Sequence, residues 1–211
     1  MKILYGLLFL LSLTACQSSL IADLVTQSGQ AFYQDDFSDP GSGWTQISDV
    51  NGSLGYTEGG YQMLVQSAGY DLWAVSRHQY KDVRIEVDAT RLEGPVVNRF
   101  GLICRYQDMD NFYVFIISSD GYYAIGKIEN GEASLLGQEM MAYSSSILQG
   151  DSTNHIRFDC IGNTLTGTVN DQRIAIASDA NFSGGDAGLL TGAFDDGGVT
   201  VSFDNFVVYK P

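Results

Sequence analysis

The sequence predicts an all-β protein, a sandwich of two antiparallel sheets. Three observations predict it. Almost every segment after Phe32 alternates apolar and polar side chains with the period of two that marks half-buried strands. Gly, Asn and Asp clusters separate those segments, in a chain with 24 glycines and only 3 prolines. No stretch carries the period of a long amphipathic helix, and no unit recurs at the spacing of about 20 to 50 residues that marks a propeller or solenoid.

The first element lies outside that fold. MKILYGLLFLLSLTAC combines a positive charge at Lys2, an apolar run over Ile3–Leu13 and small residues leading to Cys16. Such a run is shorter than the roughly 20 apolar residues a bilayer span needs, so it reads as a secretory signal. Its end, Leu13-Thr14-Ala15-Cys16, resembles the lipobox of bacterial lipoproteins, which implies a signal peptide over residues 1–15 and lipidation of Cys16. Each buried CH₂ of the acyl chains would contribute about 0.8 kcal/mol to anchoring in the membrane. Gln17, in place of Asp after the cysteine, implies by the same resemblance an outer-membrane or cell-surface destination. Residues 16–31 then form the lipidated N-terminus and a polar tether, and residues 32–211 one domain.

The domain opens with FYQDDFSDPGSGW, where a Pro-Gly turn lies among aromatics and Trp44 reads as a packing anchor. SLGYTEGG, YQMLVQS and DLWAVSR follow as strands. In DVRIEVDATRL, Val83, Ile85, Val87 and Ala89 point to one face while Arg84, Glu86, Asp88 and Thr90 point to the other. FGLICRYQ, NFYVFIISS, GYYAIGKIEN, ASLLGQ, HIRFDCIGN, TLTGTVND, QRIAIASD, DAGLLTGAF and VTVSFDNFVVYK continue the series. Between them Asp120-Gly121, Asn130-Gly131, Gly162-Asn163 and Asn170-Asp171 accept the positive φ angles of tight hairpins. Gln107 to Asn111, QDMDN, is one more hairpin turn, without the glycine and distant Glu of an EF-hand calcium loop.

A net charge of −14 repels nucleic acid and anionic headgroups, so neither is an expected partner. Besides Cys16 there are two cysteines, Cys104 and Cys160. In an oxidising compartment they can form a disulfide worth roughly 4 kcal/mol for a loop of this length, or stay as two buried thiols. A metal site on them is not expected, because the only histidines, His78 and His155, lack ligand spacing.

DDFSDPGSGW, the strand-turn-strand FGLICRYQDMDNFYVFIISSDGYYAIGKI, NHIRFDCIGNTLTGTVND and the closing GDAGLLTGAF with VSFDNFVV together resemble the concanavalin A-like jelly roll. The likeness is to its laminin-G-like members and to secreted modules of the 3-keto-disaccharide hydrolase type. It covers most of Asp35–Val208 and implies a jelly-roll sandwich, a fold that hosts lectins, glycanases and adhesive modules.

Glu86 and Asp88 invite comparison with the catalytic strand of family 16 glycoside hydrolases. The third position, however, carries Thr90 or Arg91 in place of the second Glu that a retaining pair about 5 to 5.5 Å apart requires. A polar outer strand face is the expected role. No serine or cysteine hydrolase motif and no phosphate loop is present. On the fold analogy calcium would be held by Asp35 or Asp36 with Asp204, near the two ends of the domain. Sugar binding needs aromatic rings to stack on pyranose faces and polar groups for the hydroxyls. The ligand-binding candidates are Trp73, Arg105, Tyr106, Asp108, Tyr113 and Tyr122. The expected function is a lipid-anchored, non-catalytic surface module for a glycan or other extracellular ligand. A jelly-roll glycoside hydrolase and a purely structural surface domain are the alternatives.

Overall fold

A computed structural model describes residues 29–211. The first eight strands are β1 (Ala31–Asp35), β2 (Ile47–Asp49), β3 (Gly52–Thr57), β4 (Gly60–Val65), β5 (Asp71–Val75), β6 (Val83–Glu93), β7 (Asn98–Asp108) and β8 (Asn111–Ile117). The other eight are β9 (Tyr122–Glu129), β10 (Glu132–Leu135), β11 (Ala142–Tyr143), β12 (Thr153–Ile161), β13 (Thr164–Val169), β14 (Gln172–Ser178), β15 (Asp186–Ala193) and β16 (Val199–Tyr209). There is no helix among the described residues. A nine-stranded sheet runs β14-β13-β12-β6-β16-β4-β3-β2 with β1 beside β16, and a seven-stranded sheet runs β10-β9-β8-β7-β15-β5 with β11 beside β9. All pairings are antiparallel, so the expected two-sheet sandwich is the observed fold.

β6 shows how alternation builds it. Val83, Ile85, Val87 and Ala89 are buried in the core between the sheets, and Arg84, Glu86, Asp88 and Thr90 are half-buried on the outside. Trp44 is buried too: its indole N–H donates to Asp35 Oδ2 (3.0 Å) and its ring packs edge-on to Phe37 and Phe206. The expected turns appear, with positive φ at Asn130, Gly131, Asn170 and Asp171. Cys104 of β7 is disulfide-bonded to Cys160 of β12, which ties one sheet to the other through the core.

β7 over residues 100–105, β8 over residues 112–117 and all of β15 depart from simple alternation, since every residue there is buried. A strand covered on both faces reads as a continuous apolar run. One face meets the main core; the other carries a second apolar cluster of Ile103, Phe112, Val114, Ile116, Ala124 and Leu190. Trp73, Tyr106, Ile128, Leu135 and Met141 close over that second cluster.

Gly29 and Lys210 meet at one end of the sandwich, where the Gly29 N–H donates to the Lys210 carbonyl (2.8 Å). β1 starts at Ala31, so the sandwich takes in the residues just ahead of Phe32. Cys16, the signal sequence and most of the tether lie outside the described residues.

Candidate functional site

The second apolar cluster marks a groove on the outer face of the seven-stranded sheet. Cross-strand register orders its floor. In one row Asp71, Gly192 and Arg99 lie side by side across β5, β15 and β7. The next row runs Trp73, Leu190, Gly101, Ile116 and Ala124, and the third Val75, Gly188, Ile103, Val114, Gly126 and Leu135. Each row contains at least one glycine, which lowers the floor. A cavity of about 630 Å³ results, with Ala133, Ser134 and Leu135 of β10 as a wall and Gln138 and Glu139 at its rim.

One polar pair stands in this apolar trough. Arg99 Nε–H donates to Asp71 Oδ1 (2.6 Å), directly across Gly192. A Cβ on Gly192 would overlap Asp71 Oδ1 and come 2.6 Å from Arg99 Nε, so only glycine leaves the pair its space. The guanidinium carbon lies 4.4 Å from the centroid of the Phe194 ring, a cation-π contact that fixes its plane. Among the described residues no acceptor engages the Arg99 Nη groups, although the side chain is only 15% exposed. A guanidinium has five N–H donors in a planar fork, so this one is held in place with most of its donors open to a ligand.

The sequence candidates divide. Trp73 and Tyr106 are half-buried on this face, with ring centroids 5.7 and 5.5 Å from Phe112 between them. Tyr122 is 41% exposed beyond the Arg99 end, edge-on to Tyr143. Asp108 is exposed at the hairpin, where its Oδ1 accepts from the Asp110 N–H (2.9 Å) and from Asn111 Nδ2 (2.8 Å), so it serves the turn.

Arg105 and Tyr113 do not reach a groove. A bulge with positive φ turns Arg105 inward, where it is 2% exposed and donates to the carbonyls of Phe182 (2.8 Å) and Gly162 (2.6 Å) and to Asp82 (3.2 Å). Tyr113 is fully buried; its hydroxyl donates to Asp179 Oδ1 (2.5 Å), and burial first and then that bond push its pKa up to about 12. Both hold loops in place.

Asp35 and Asp36 line a cavity of about 310 Å³ together with Asn205 and Phe206, whereas Asp204, one residue earlier on β16, is registered against Asp88 of β6. The buried Asp35 carboxylate accepts from Tyr33 Oη, Trp44 Nε1 and the Phe37 N–H, and among the described residues no three His, Cys, Asp or Glu side chains assemble to hold a metal ion.

Glu86 and Asp88 lie on the other sheet, facing away from the groove. Asp88 Oδ1 is 2.8 Å from His155 Nδ1, Asp88 Oδ2 accepts from Asn205 Nδ2 (3.0 Å), and Glu86 is 3.6 Å from His155 Nε2. Glu86 and then Asp88 raise the imidazole pKa to about 9, so the three form an ion-paired outer surface, the polar strand face expected for them.

Asp71, Arg99, Gln138 and Glu139 were not singled out by sequence. Alternation in DLWAV puts Asp71 on the face of Trp73, a legible signal for that residue. Arg99 comes beside it only through β15, which enters the sheet far along the chain.

No family model matches the chain, and no curated protein matches it. Solved structures do. Carbohydrate-binding module CBM66 from Bacillus subtilis is 25% identical with a TM-score of 0.64, over 80% of this chain and 96% of that one. A family 16 glycoside hydrolase from the mixed-linkage glucan locus of Bacteroides ovatus, solved with a G4G4G3G product, is 11% identical with a TM-score of 0.59, over 83% and 99%. The catalytic domain of an endo-1,3-β-glucanase (laminarinase) from Thermotoga petrophila is 10% identical with a TM-score of 0.58, over 87% and 98%. The chain has a concanavalin A-like jelly-roll fold. The sequence resemblance to that fold is thereby met.

Proposed function

We propose that the protein is a non-catalytic glycan-binding module that takes its ligand in the groove on the seven-stranded sheet. The observation that carries this is the Arg99 fork, oriented by Asp71 and Phe194 over an apolar floor. An apolar floor accepts the C–H face of a sugar ring, while a fixed donor and a carboxylate acceptor side by side match neighbouring hydroxyls. The likeness to a carbohydrate-binding module supports the same reading. Hydrolysis would need two carboxyl groups set for acid and nucleophile or base. The groove lining offers Asp71 and Glu139, and Asp71 is already ion-paired to Arg99.

The proposal includes the lipid on Cys16. The described chain begins at the end of the sandwich that holds Gly29 and Lys210, whereas Arg99 is near the start of β7, away from Cys104 and its bonded partner Cys160. A lipid-tethered domain would then present the Arg99 end of the groove away from the membrane.

A glycan-array screen of the mature protein, followed by calorimetry on the best hits, tests the function. Arg99→Ala is expected to weaken binding about 10- to 100-fold, the loss of charge-assisted hydrogen bonds of about 1.5 to 3 kcal/mol. A chelator should leave binding unchanged. Release of reducing sugar from a bound polysaccharide, with no measurable stable complex, would reject the non-catalytic reading.

A further inference from the structure

Beyond Arg99 lies a second cavity of about 360 Å³, lined by Val97, Ser118, Asp120, Tyr122, Met141, Phe194 and Asp195. We infer that it is a second sugar subsite of the same face, so that the ligand is a neutral oligosaccharide of at least two units; this rests on the groove being the glycan site. Continuity is the first argument. Phe194, in the second cavity, carries the Arg99 guanidinium of the first on its ring. Met141 lines the second cavity and packs on the apolar cluster whose Ile116 and Leu190 floor the first.

The lining is suited to a sugar. Tyr122 presents a ring that is 41% exposed and is braced edge-on by Tyr143 at a centroid distance of 5.7 Å. Asp120 Oδ1 is buried and accepts no hydrogen bond from the protein. A buried acceptor left unpaired is costly, and because Asp120 lines the cavity a small rotation of its carboxylate would let a ligand hydroxyl donate to it. The wall is set before any ligand arrives, because the Ser118 N–H donates to the Tyr122 carbonyl (2.8 Å) and the Gly121 N–H to the Ser118 carbonyl (3.0 Å).

Charge selects the ligand class. The carboxylates of Asp71, Glu139, Asp120 and Asp195 line the two cavities. Against them stands the Arg99 guanidinium, already shared with Asp71, while the Lys127 amine is tied to Glu129 and Asp179. Uronates and sulfated sugars would be repelled.

The test is calorimetry on the mature full chain with neutral gluco-, xylo-, galacto- and fructo-oligosaccharides from one to six units. For the series that binds, affinity is expected to rise at least tenfold between one and three units. Tyr122→Ala and Asp120→Ala should each remove most of that gain and leave the single-sugar affinity within about twofold. Equal affinity at every length, or variants that weaken one unit and six units alike, would overturn the subsite while leaving the groove reading intact. Tighter binding of oligogalacturonate than of any neutral series would overturn the neutral ligand class. No binding at any length would reject both readings.

Discussion

His155 stands in β12 between two carboxylates of β6, and its chemistry is set by those neighbours. With its pKa raised from 6.5 to about 9, chiefly by Glu86 and then by Asp88, the folded protein holds the proton that the unfolded chain releases at lower pH. The resulting stabilisation is therefore complete below about pH 6.5 and is lost as pH rises through about 9. The side chain is 42% exposed, so solvent screening limits the effect to about 1 kcal/mol. Urea denaturation should show wild type more stable than His155→Gln at pH 6, with the difference gone at pH 10. A difference independent of pH would mean that packing, and not the ion pair, holds the imidazole. At this scale the alternation in IEVDATR was legible and placed Glu86 and Asp88 outside; their partner was not, since His155 comes from a strand that pairs with β6 only in the folded sheet.

Among elements, β5, β15 and β7 act as one unit because Gly192 leaves the space across which Asp71 and Arg99 meet. Gly192→Ala is expected to push the Asp71 carboxylate and the Arg99 side chain aside at a stability cost of about 1 to 3 kcal/mol, since the added Cβ would meet Asp71 Oδ1 and the Nε and Cγ of Arg99. Glycan affinity should fall nearly as far as in Arg99→Ala. An unchanged affinity would show that the pair does not orient the ligand. The β7 bulge has the opposite use: it turns Arg105 into the interior, where the guanidinium gathers the Gly162 and Phe182 carbonyls and Asp82. In RYQDMDNFYVF strict alternation cannot foretell that, because a bulge changes which face each following residue takes. The hairpin at Asp108 was legible, because its side-chain hydrogen bonds are local.

For the molecule as a whole, the Cys104–Cys160 bond joins the two sheets across a sequence separation of 56 residues. In the chain-entropy account, removing both thiols as Cys104→Ala/Cys160→Ala should cost about 4 kcal/mol, read as a lower urea midpoint. Glycan binding below the transition should persist, because both cysteines are fully buried away from the groove. Loss of binding without loss of stability would place the bond in the site's support instead. The sequence favoured the disulfide while leaving separate thiols open; proximity across two sheets decided between them.

The sequence by itself determined the class of fold, the longer strands, most of their faces and the turns between them, because alternation and turn chemistry depend on residues adjacent in the chain; β1, β2 and β11 were not legible in it. It also marked Trp73 and Tyr106 as strand aromatics. Only the tertiary structure decided that β8 and its neighbours are covered on both faces, that Arg105 and Tyr113 are internal, and that Asp71 meets Arg99. Those outcomes depend on which distant strands become neighbours and in what register, and that is settled by packing the whole sandwich.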